Sequence, residues 1–301
     1  MKRVLKRTIQ GLLFLIVLIG IVVLTGTIKS TNDNYYYGQY FFDALLLIIM
    51  AVALYEMISA TKAGGYNPQV IPLCIILVIS YPIVKLFHFL PFSFFAGGYH
   101  GILIFVVISI LLLFLFYVFD TRVTFNNFLV SLFLLFYPIL PLVVAFQLIN
   151  QFGMIPLLLA VGSAMMADAF AYYFGSLIKG PKIFPKISPN KTYSGFFMGL
   201  LGGAVGAIIV YAMFELAPIP LNRVAIFSDL YEPWLFFPLI GVALGLIGEI
   251  GDLIASRIKR CMNIKDFGKV LGSHGGIIDR LDSLMVAVVF MACFMSFTSF
   301  G

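Results

Sequence analysis

Charge is what this sequence has least of. Only 11% of its 301 residues are Asp, Glu, Lys or Arg, while 62% are hydrophobic; a soluble domain carries about a quarter charged residues. With a mean hydropathy of +1.08, a water-soluble globular domain is excluded. The 3 cysteines, Cys74, Cys261 and Cys293, form no CxxC pair and have no histidine partner at zinc spacing, which excludes a disulfide framework and a zinc knuckle. No GxSxG elbow, HExxH helix or GxxxxGK[ST] loop occurs, so acyl transfer, zinc hydrolysis and P-loop nucleotide binding have no candidates. Internal repeats and low-complexity tracts are also lacking.

What is abundant is long apolar runs. A helix needs about 20 such residues to cross the hydrocarbon layer. Nine segments qualify, 9–28, 40–58, 69–89, 99–119, 127–149, 152–178, 195–217, 233–256 and 281–300. The expected fold is therefore an all-α polytopic membrane protein with about nine transmembrane helices. The basic opening MKRVLKRTIQ leads into an apolar run without a small-x-small cleavage site, and reads as a retained first span rather than a removed signal. With the N-terminus in the cytoplasm, 16 of the 19 Lys and Arg residues fall on cytoplasmic segments, Lys29 and Arg223 lie opposite, and Lys85 lies within the third span. That bias sets the orientation and implies the inner (cytoplasmic) membrane. Lys85 reads as snorkelling to the outer surface, and no charged cluster is expected on that side.

The net charge of +6 thus faces the cytoplasm, where it attracts anionic headgroups and anionic solutes. Two cytoplasmic loops are long and densely charged, 179–194, stiffened by proline, and 257–280. Both follow the midpoint, dividing the chain into a transmembrane scaffold of four spans, 1–126, and a catalytic region of five, 127–301.

Acids that border spans are costly and mark function. Asp168 stands in MMADAFAYYFG, Glu249 and Asp252 in GLIGEIGDLIASRIKR, and Asp279 and Asp282 at the start of the last span. The orientation brings all five to one depth beneath the cytoplasmic leaflet. Glu249 with Asp252, and Asp279 with Asp282, are three apart and share a helix face. Like charges so placed repel unless a cation lies between them, and hard carboxylate oxygens suit Mg²⁺. Nearby stand Ser256, Lys259 and Arg260 in SRIKR, Ser188, Lys191 and Thr192 in SPNKT, and Gly275–Gly276, whose backbone amides can approach a phosphate closely. Singly, such acids cap helices, such lysines are solvated and such glycines turn; together they point to phosphoryl or nucleotidyl transfer, which asks mainly for charge neutralisation and positioning. A site at the leaflet boundary suggests a lipid phosphate meeting a soluble nucleotide.

The stretch SRIKRCMNIKDFGKVLGSHGGIIDRLD, Ser256 to Asp282, resembles the C-terminal signature of the phosphatidate cytidylyltransferases (CDP-diacylglycerol synthases) at every fixed position. Gly251–Asp252, SPNKT and DAFAYYFG resemble further family segments, and nine spans agrees with the family architecture. The resemblance is strong from about residue 160 onwards and topological before it. One departure is Ser194, where the family commonly has Glu.

The resemblance implies that CTP and phosphatidic acid give CDP-diacylglycerol and pyrophosphate, with Mg²⁺ required; one cation or two is left open. It implies Asp252 and Asp279 as leading metal ligands, with Asp282 and Asp168 in support. Lys259, Arg260, Lys265 and Arg280 would neutralise the phosphates, and His274 would bond a phosphate or the departing pyrophosphate. Ser188, Lys191 and Thr192 would hold nucleotide or headgroup, with Ser256, Asp266, Gly275 and Gly276 completing the substrate-binding set.

Beyond CTP, phosphatidic acid and membrane lipids, no nucleic-acid partner is expected. GLLGGAVGA carries two GxxxG spacings, Gly199/Gly203 and Gly202/Gly206, which let helices approach closely within the chain or between two copies in a homodimer. Two rival readings stand. One is another CTP-dependent lipid enzyme, such as a polyprenol kinase or a CDP-archaeol synthase. The other is an ion-coupled transporter using Asp168, Glu249 and Asp252, which requires acids near the midplane and a polar route to both faces.

Overall fold

The computed structural model describes residues 37–89, 100–185, 187–216, 233–271 and 275–298; the expected first span, 9–28, lies outside them. Backbone amides in hydrocarbon have no water to bond, so an apolar chain closes its hydrogen bonds within helices. These are α1 (Tyr37–Ala63), α2 (Val70–Phe89), α3 (His100–Phe119), α4 (Phe125–Leu134), α5 (Leu140–Phe152), α6 (Met154–Ile178), α7 (Tyr193–Leu216), α8 (Pro233–Cys261) and α9 (Ile278–Thr298). Among the described residues, 7 stretches are long and apolar enough to cross a membrane: Tyr40–Ala63, Gly101–Phe119, Phe125–Phe152, Met154–Ile178, Tyr193–Met213, Trp234–Cys261 and Ile278–Phe297. Val70–Leu86 is a shorter apolar helix. The chain is a multi-pass, helical membrane protein.

Phe125–Phe152 is one apolar run but not one straight helix. A π-type turn, Leu135–Ile139, separates α4 from α5, and within it Tyr137 leaves the helical region (φ −149°, ψ 103°). Pro138 follows it with no N–H for the ladder and a ring that crowds the preceding turn, the usual cause of such a break.

Helix α6 packs on α7, α8 and α9, helix α8 packs on α7 and α9, and α9 also meets α5 and α1. Lipid gives apolar helices no hydrophobic reason to associate, so close backbone approach matters most. A Cβ on Gly203 would stand 2.3 Å from the Gly241 carbonyl oxygen in α8, and one on Gly206 would stand 2.5 Å from that of Gly162 in α6. Gly202 lies as tightly against Met166 and Phe170, and Gly199 against Glu249 and Ala171. Both GxxxG spacings are therefore occupied by contacts within the chain.

The loop 179–194 folds further than expected. Strand β1 (Lys182–Phe184) pairs antiparallel with β2 (Ser188–Thr192), Lys182 opposite Thr192 and Phe184 opposite Ser188. The Ile187 N–H closes the turn on the Phe184 carbonyl at 3.2 Å, and the Tyr193 N–H ties the base to Pro181 at 3.2 Å. A two-stranded ribbon is all edge, which is why it tolerates Pro189. The hairpin is a small addition to an otherwise all-α protein.

Lys85 does not snorkel. Its ammonium lies 3.1 Å from the carboxylate of Asp43 in α1, whose side chain is 1% exposed, and it also bonds Asn150. The Tyr81 hydroxyl donates to the same carboxylate at 3.1 Å. A buried acid without a partner is strongly destabilising, and that draws the lysine inward. A charged cluster thus does exist toward the start of α1, where none was expected.

The glycine seam yields a test. Gly203→Leu forces α7 from α8 and is expected to cost about 1–3 kcal/mol or more, read as a lower melting temperature of the detergent-solubilised protein with its oligomeric state unchanged. Dissociation of a dimer without loss of melting temperature would contradict the internal packing.

Candidate active site

Four elements bring charge to one place. From the hairpin, Lys191 reaches α8: its ammonium bonds the Glu249 carboxylate, lies 2.8 Å from Asp252 Oδ2, and donates to the Glu249 carbonyl at 3.3 Å. Burial pulls the Lys191 pKa down, but the carboxylates of Asp252 and Glu249 more than offset this and hold it above the ordinary lysine value. Lys191 is accordingly a fixed ammonium at neutral pH.

The second lysine comes from the end of α8. Lys259 Nζ lies 2.9 Å from Asp279 Oδ1 and 3.8 Å from Asp282 Oδ2, and 5.2 Å from the centroid of the Phe267 ring, within cation–π range. The other oxygen of Asp279 accepts the backbone N–H of Phe267 and of Gly276, each at 2.9 Å. Asp279 therefore organises the signature loop while using about three of its four lone-pair directions. Gly275 holds a left-handed φ of 81°, which favours glycine, and a Cβ there would stand close against Asp279 Oδ2, at 3.0 Å.

Asp168 of α6 completes the group. Ser283 of α9 links it to Asp282: the Ser283 hydroxyl donates to Asp168 Oδ2 at 2.9 Å, and its N–H donates to Asp282 Oδ1 at 2.9 Å. The charges of Asp252 and Glu249 act on Asp168, and those of Asp252 and Asp168 on Asp282. Asp168, Glu249, Asp252, Asp279 and Asp282 thus share one region of the bundle with Lys191 and Lys259.

Of the other expected residues, Ser256 is half-buried and follows Asp252 by four positions on α8, while Arg260, Lys265, Asp266 and Arg280 are exposed. The Arg260 guanidinium reaches the Ile264 carbonyl at 3.5 Å, near the end of α8. Ser188 sits at the far end of β2, opposite Phe184. Thr192 is occupied as a helix cap, its hydroxyl accepting the Gly195 N–H at 3.1 Å, and Ser194 lies 3.1 Å from that hydroxyl. Ser194, the position that departs from the family pattern, supports the start of α7. His274 lies outside the described residues.

Two further residues escaped the sequence reading. Glu56 of α1, within the segment read as scaffold, is buried and accepts the Ile278 N–H at 3.1 Å. Tyr137, at the break between α4 and α5, is buried; its hydroxyl has no hydrogen-bond partner among the described residues and lies in the field of Asp282, Asp279 and Asp252. Glu56 carried a readable signal, a lone acid inside the apolar run ALYEMIS. Tyr137 carried none beyond its neighbour Pro138.

Among the described residues no three acidic, histidine or cysteine side chains converge as a ready metal centre. The donor set nevertheless fits a divalent cation. Five carboxylates, four of them paired with the ammonium groups of Lys191 and Lys259, supply hard oxygen ligands. Mg²⁺ commonly takes only one or two carboxylates and fills its shell with water and substrate phosphate.

Residues 5–298 match the sequence pattern of the Cytidylyltransferase family. A relative from Bacillus subtilis (strain 168) named phosphatidate cytidylyltransferase is 34% identical over 143 residues, 48% of this chain and 48% of its own. One of the same name from Aquifex aeolicus (strain VF5) is 34% identical over 201 residues, 67% of this chain and 69% of its own. A third of that name, from Staphylococcus epidermidis (strain ATCC 12228 / FDA PCI 1200), is 40% identical over 121 residues, 40% of this chain and 41% of its own. The matched chain thus spans about half the length of the first and about two fifths of the third.

The Lys191 arrangement predicts its own cost. Lys191→Met strands Glu249 and is expected to destabilise the protein by about 3–5 kcal/mol. Lys191→Met/Glu249→Gln, which removes both charges, is expected to recover part of that in a double-mutant cycle of thermal stability.

Proposed function

Because the chain belongs to the cytidylyltransferase family, we propose that it is a phosphatidate cytidylyltransferase, converting CTP and phosphatidic acid into CDP-diacylglycerol and pyrophosphate in phospholipid biosynthesis. The observation that carries this reading is the meeting of the signature acids Asp252, Asp279 and Asp282 with Lys191 and Lys259 at one point. In the reaction an oxygen of the lipid phosphate bonds to the α-phosphorus of CTP as the bond to pyrophosphate breaks. The nucleophile is already anionic and needs no strong base. What the site must supply is neutralisation of two approaching anions and a fixed line of attack.

Lys259, anchored between Asp279 and Asp282, presents an immobilised positive charge to the phosphates, and the exposed Arg260, Lys265 and Arg280 gather the triphosphate at the rim. Lys191 holds the nucleotide or headgroup while keeping Glu249 and Asp252 in place. Asp252 and Asp279 would hold Mg²⁺, with Asp282 and Asp168 in support. The ion would supply charge neutralisation at the phosphate oxygens. Ser188, Ser256, Asp266, Gly275 and Gly276 line the approach of substrate, Thr192 supports it through the start of α7, and His274 keeps the role that the resemblance implies. A homodimer would have to use a surface other than the glycine seam.

The basic residues support nine spans in the inner membrane with the N-terminus and the site facing the cytoplasm. Cys261 is exposed at the end of α8. It is expected to react with a membrane-impermeant maleimide in inverted vesicles and not in intact cells; the reverse pattern would overturn the orientation.

The reaction is tested by following label from [α-³²P]CTP into chloroform-extractable lipid. Incorporation is expected only with phosphatidic acid and Mg²⁺, lost on chelation, and reduced at least about a hundredfold in Asp279→Asn. Incorporation with a polyprenol or another lipid acceptor but not with phosphatidic acid would move the assignment to a different CTP-dependent lipid enzyme.

A further inference from the structure

We infer that Glu56 is a positioning residue for the signature loop: a carboxylate of α1 that holds Gly268, Gly276 and Ile278 in the geometry on which Asp279 and Lys259 depend. The inference deepens the cytidylyltransferase reading and rests on it for the identity of the substrates.

Glu56 is 1% exposed, and its Oε2 accepts the N–H of Ile278, the first residue of α9, at 3.1 Å. The first amides of a helix have no partner within it and carry its positive end. Here the cap arrives from a helix 222 residues away in sequence. The same carboxyl group lies against two glycines of the loop. A Cβ on Gly268 would fall 2.2 Å from Glu56 Oε1, and one on Gly276 would fall 2.3 Å from Oε2. A side chain at either glycine would displace the Glu56 carboxyl group.

Asp279 grips the same two places from α9. Its Oδ2 accepts the N–H of Phe267, next to Gly268, and the N–H of Gly276 itself. Its Oδ1 holds Lys259, whose ammonium lies over the Phe267 ring. Glu56, Gly276, Asp279 and Lys259 therefore form one chain of contacts, and Glu56 is its far end.

Packing alone does not account for a carboxylate here. Oε1 of Glu56 is buried with no hydrogen-bond partner among the described residues, a desolvation cost that an apolar side chain of similar size would avoid. What an apolar side chain could not do is accept the Ile278 amide and so set where α9 and Asp279 begin.

The test uses the full-length protein in detergent micelles with phosphatidic acid, measuring KM for each substrate, melting temperature and amide hydrogen exchange of residues 265–278. Glu56→Met, which keeps the length and removes the acceptor, is expected to raise KM for CTP about tenfold and to speed exchange at the loop amides, whereas Glu56→Gln, whose carbonyl oxygen still accepts the Ile278 N–H, is expected to keep most of the wild-type KM and protection. Gly268→Ala alone is expected to impair CTP use, and Gly268→Ala/Glu56→Asp, which withdraws the carboxyl by one methylene, to regain part of it. Should Glu56→Met fail to fold, the glycine pair carries the test. Unchanged KM for CTP and unchanged exchange in Glu56→Met would overturn the inference. So would a fall in melting temperature and active fraction with both KM values intact. If wild type transfers no label to lipid while the loop amides still loosen in Glu56→Met, the substrate assignment fails and the hold of Glu56 on the loop stands.

Discussion

Carboxylates in a low-dielectric bundle must be compensated, and the architecture around the site answers to that demand. An ionised acid taken out of water costs several kcal/mol unless it is paired and hydrogen-bonded. Here Lys191 is shared by Glu249 and Asp252, and Lys259 by Asp279 and Asp282. Each lysine comes from a segment that must be folded for the pair to form. The hairpin exists at the mouth of the bundle with Lys191 near its end, and the last turn of α8 carries Lys259. Pairing of charge thus sets how the loops sit on the helices.

Lys191 and Lys259 cannot by themselves neutralise five ionised acids, an imbalance for which the proposed function gives a reason. A bundle built only for stability would replace such a cluster with apolar residues, often at no loss. On the proposed function, a cation and a polyphosphate would neutralise each other and the protein at this charge, with the exposed Arg260, Lys265 and Arg280 supplied by the same signature. Close helix packing through Gly203, Gly206 and their neighbours keeps α6, α7 and α8 near enough for Asp168, Glu249 and Asp252 to feel one another.

The first half of the described chain is more than a lipid-facing frame. Buried acids stand towards both ends of α1, Asp43 paired with Lys85 and Glu56 set under the signature loop. About 20 Å of helix separates them, at 1.5 Å per residue. A helix held by an ion pair near one end and by a backbone hydrogen bond near the other is well suited to fix the position of the signature loop.

Much of this was legible in the sequence by itself. The spans from residue 40 onwards other than 69–89, the signature from Ser256 to Asp282 and the gathering of Asp168, Asp252, Asp279 and Asp282 beside Lys191 and Lys259 follow from run length, charge placement and motif. These are properties of local composition, and hydrocarbon leaves an apolar run little choice but a helix. Tertiary structure alone decided which acid each lysine serves, that Lys85 turns inward, that Thr192 caps α7, that residues 182–192 pair as a hairpin, and that Glu56 and Tyr137 join the site. In a helix that is apolar on every side, the pattern does not say which face meets protein and which meets lipid. The rotation of each helix is set by glycine contacts and buried charge pairs between residues far apart in the chain, and those exist only once the helices have packed.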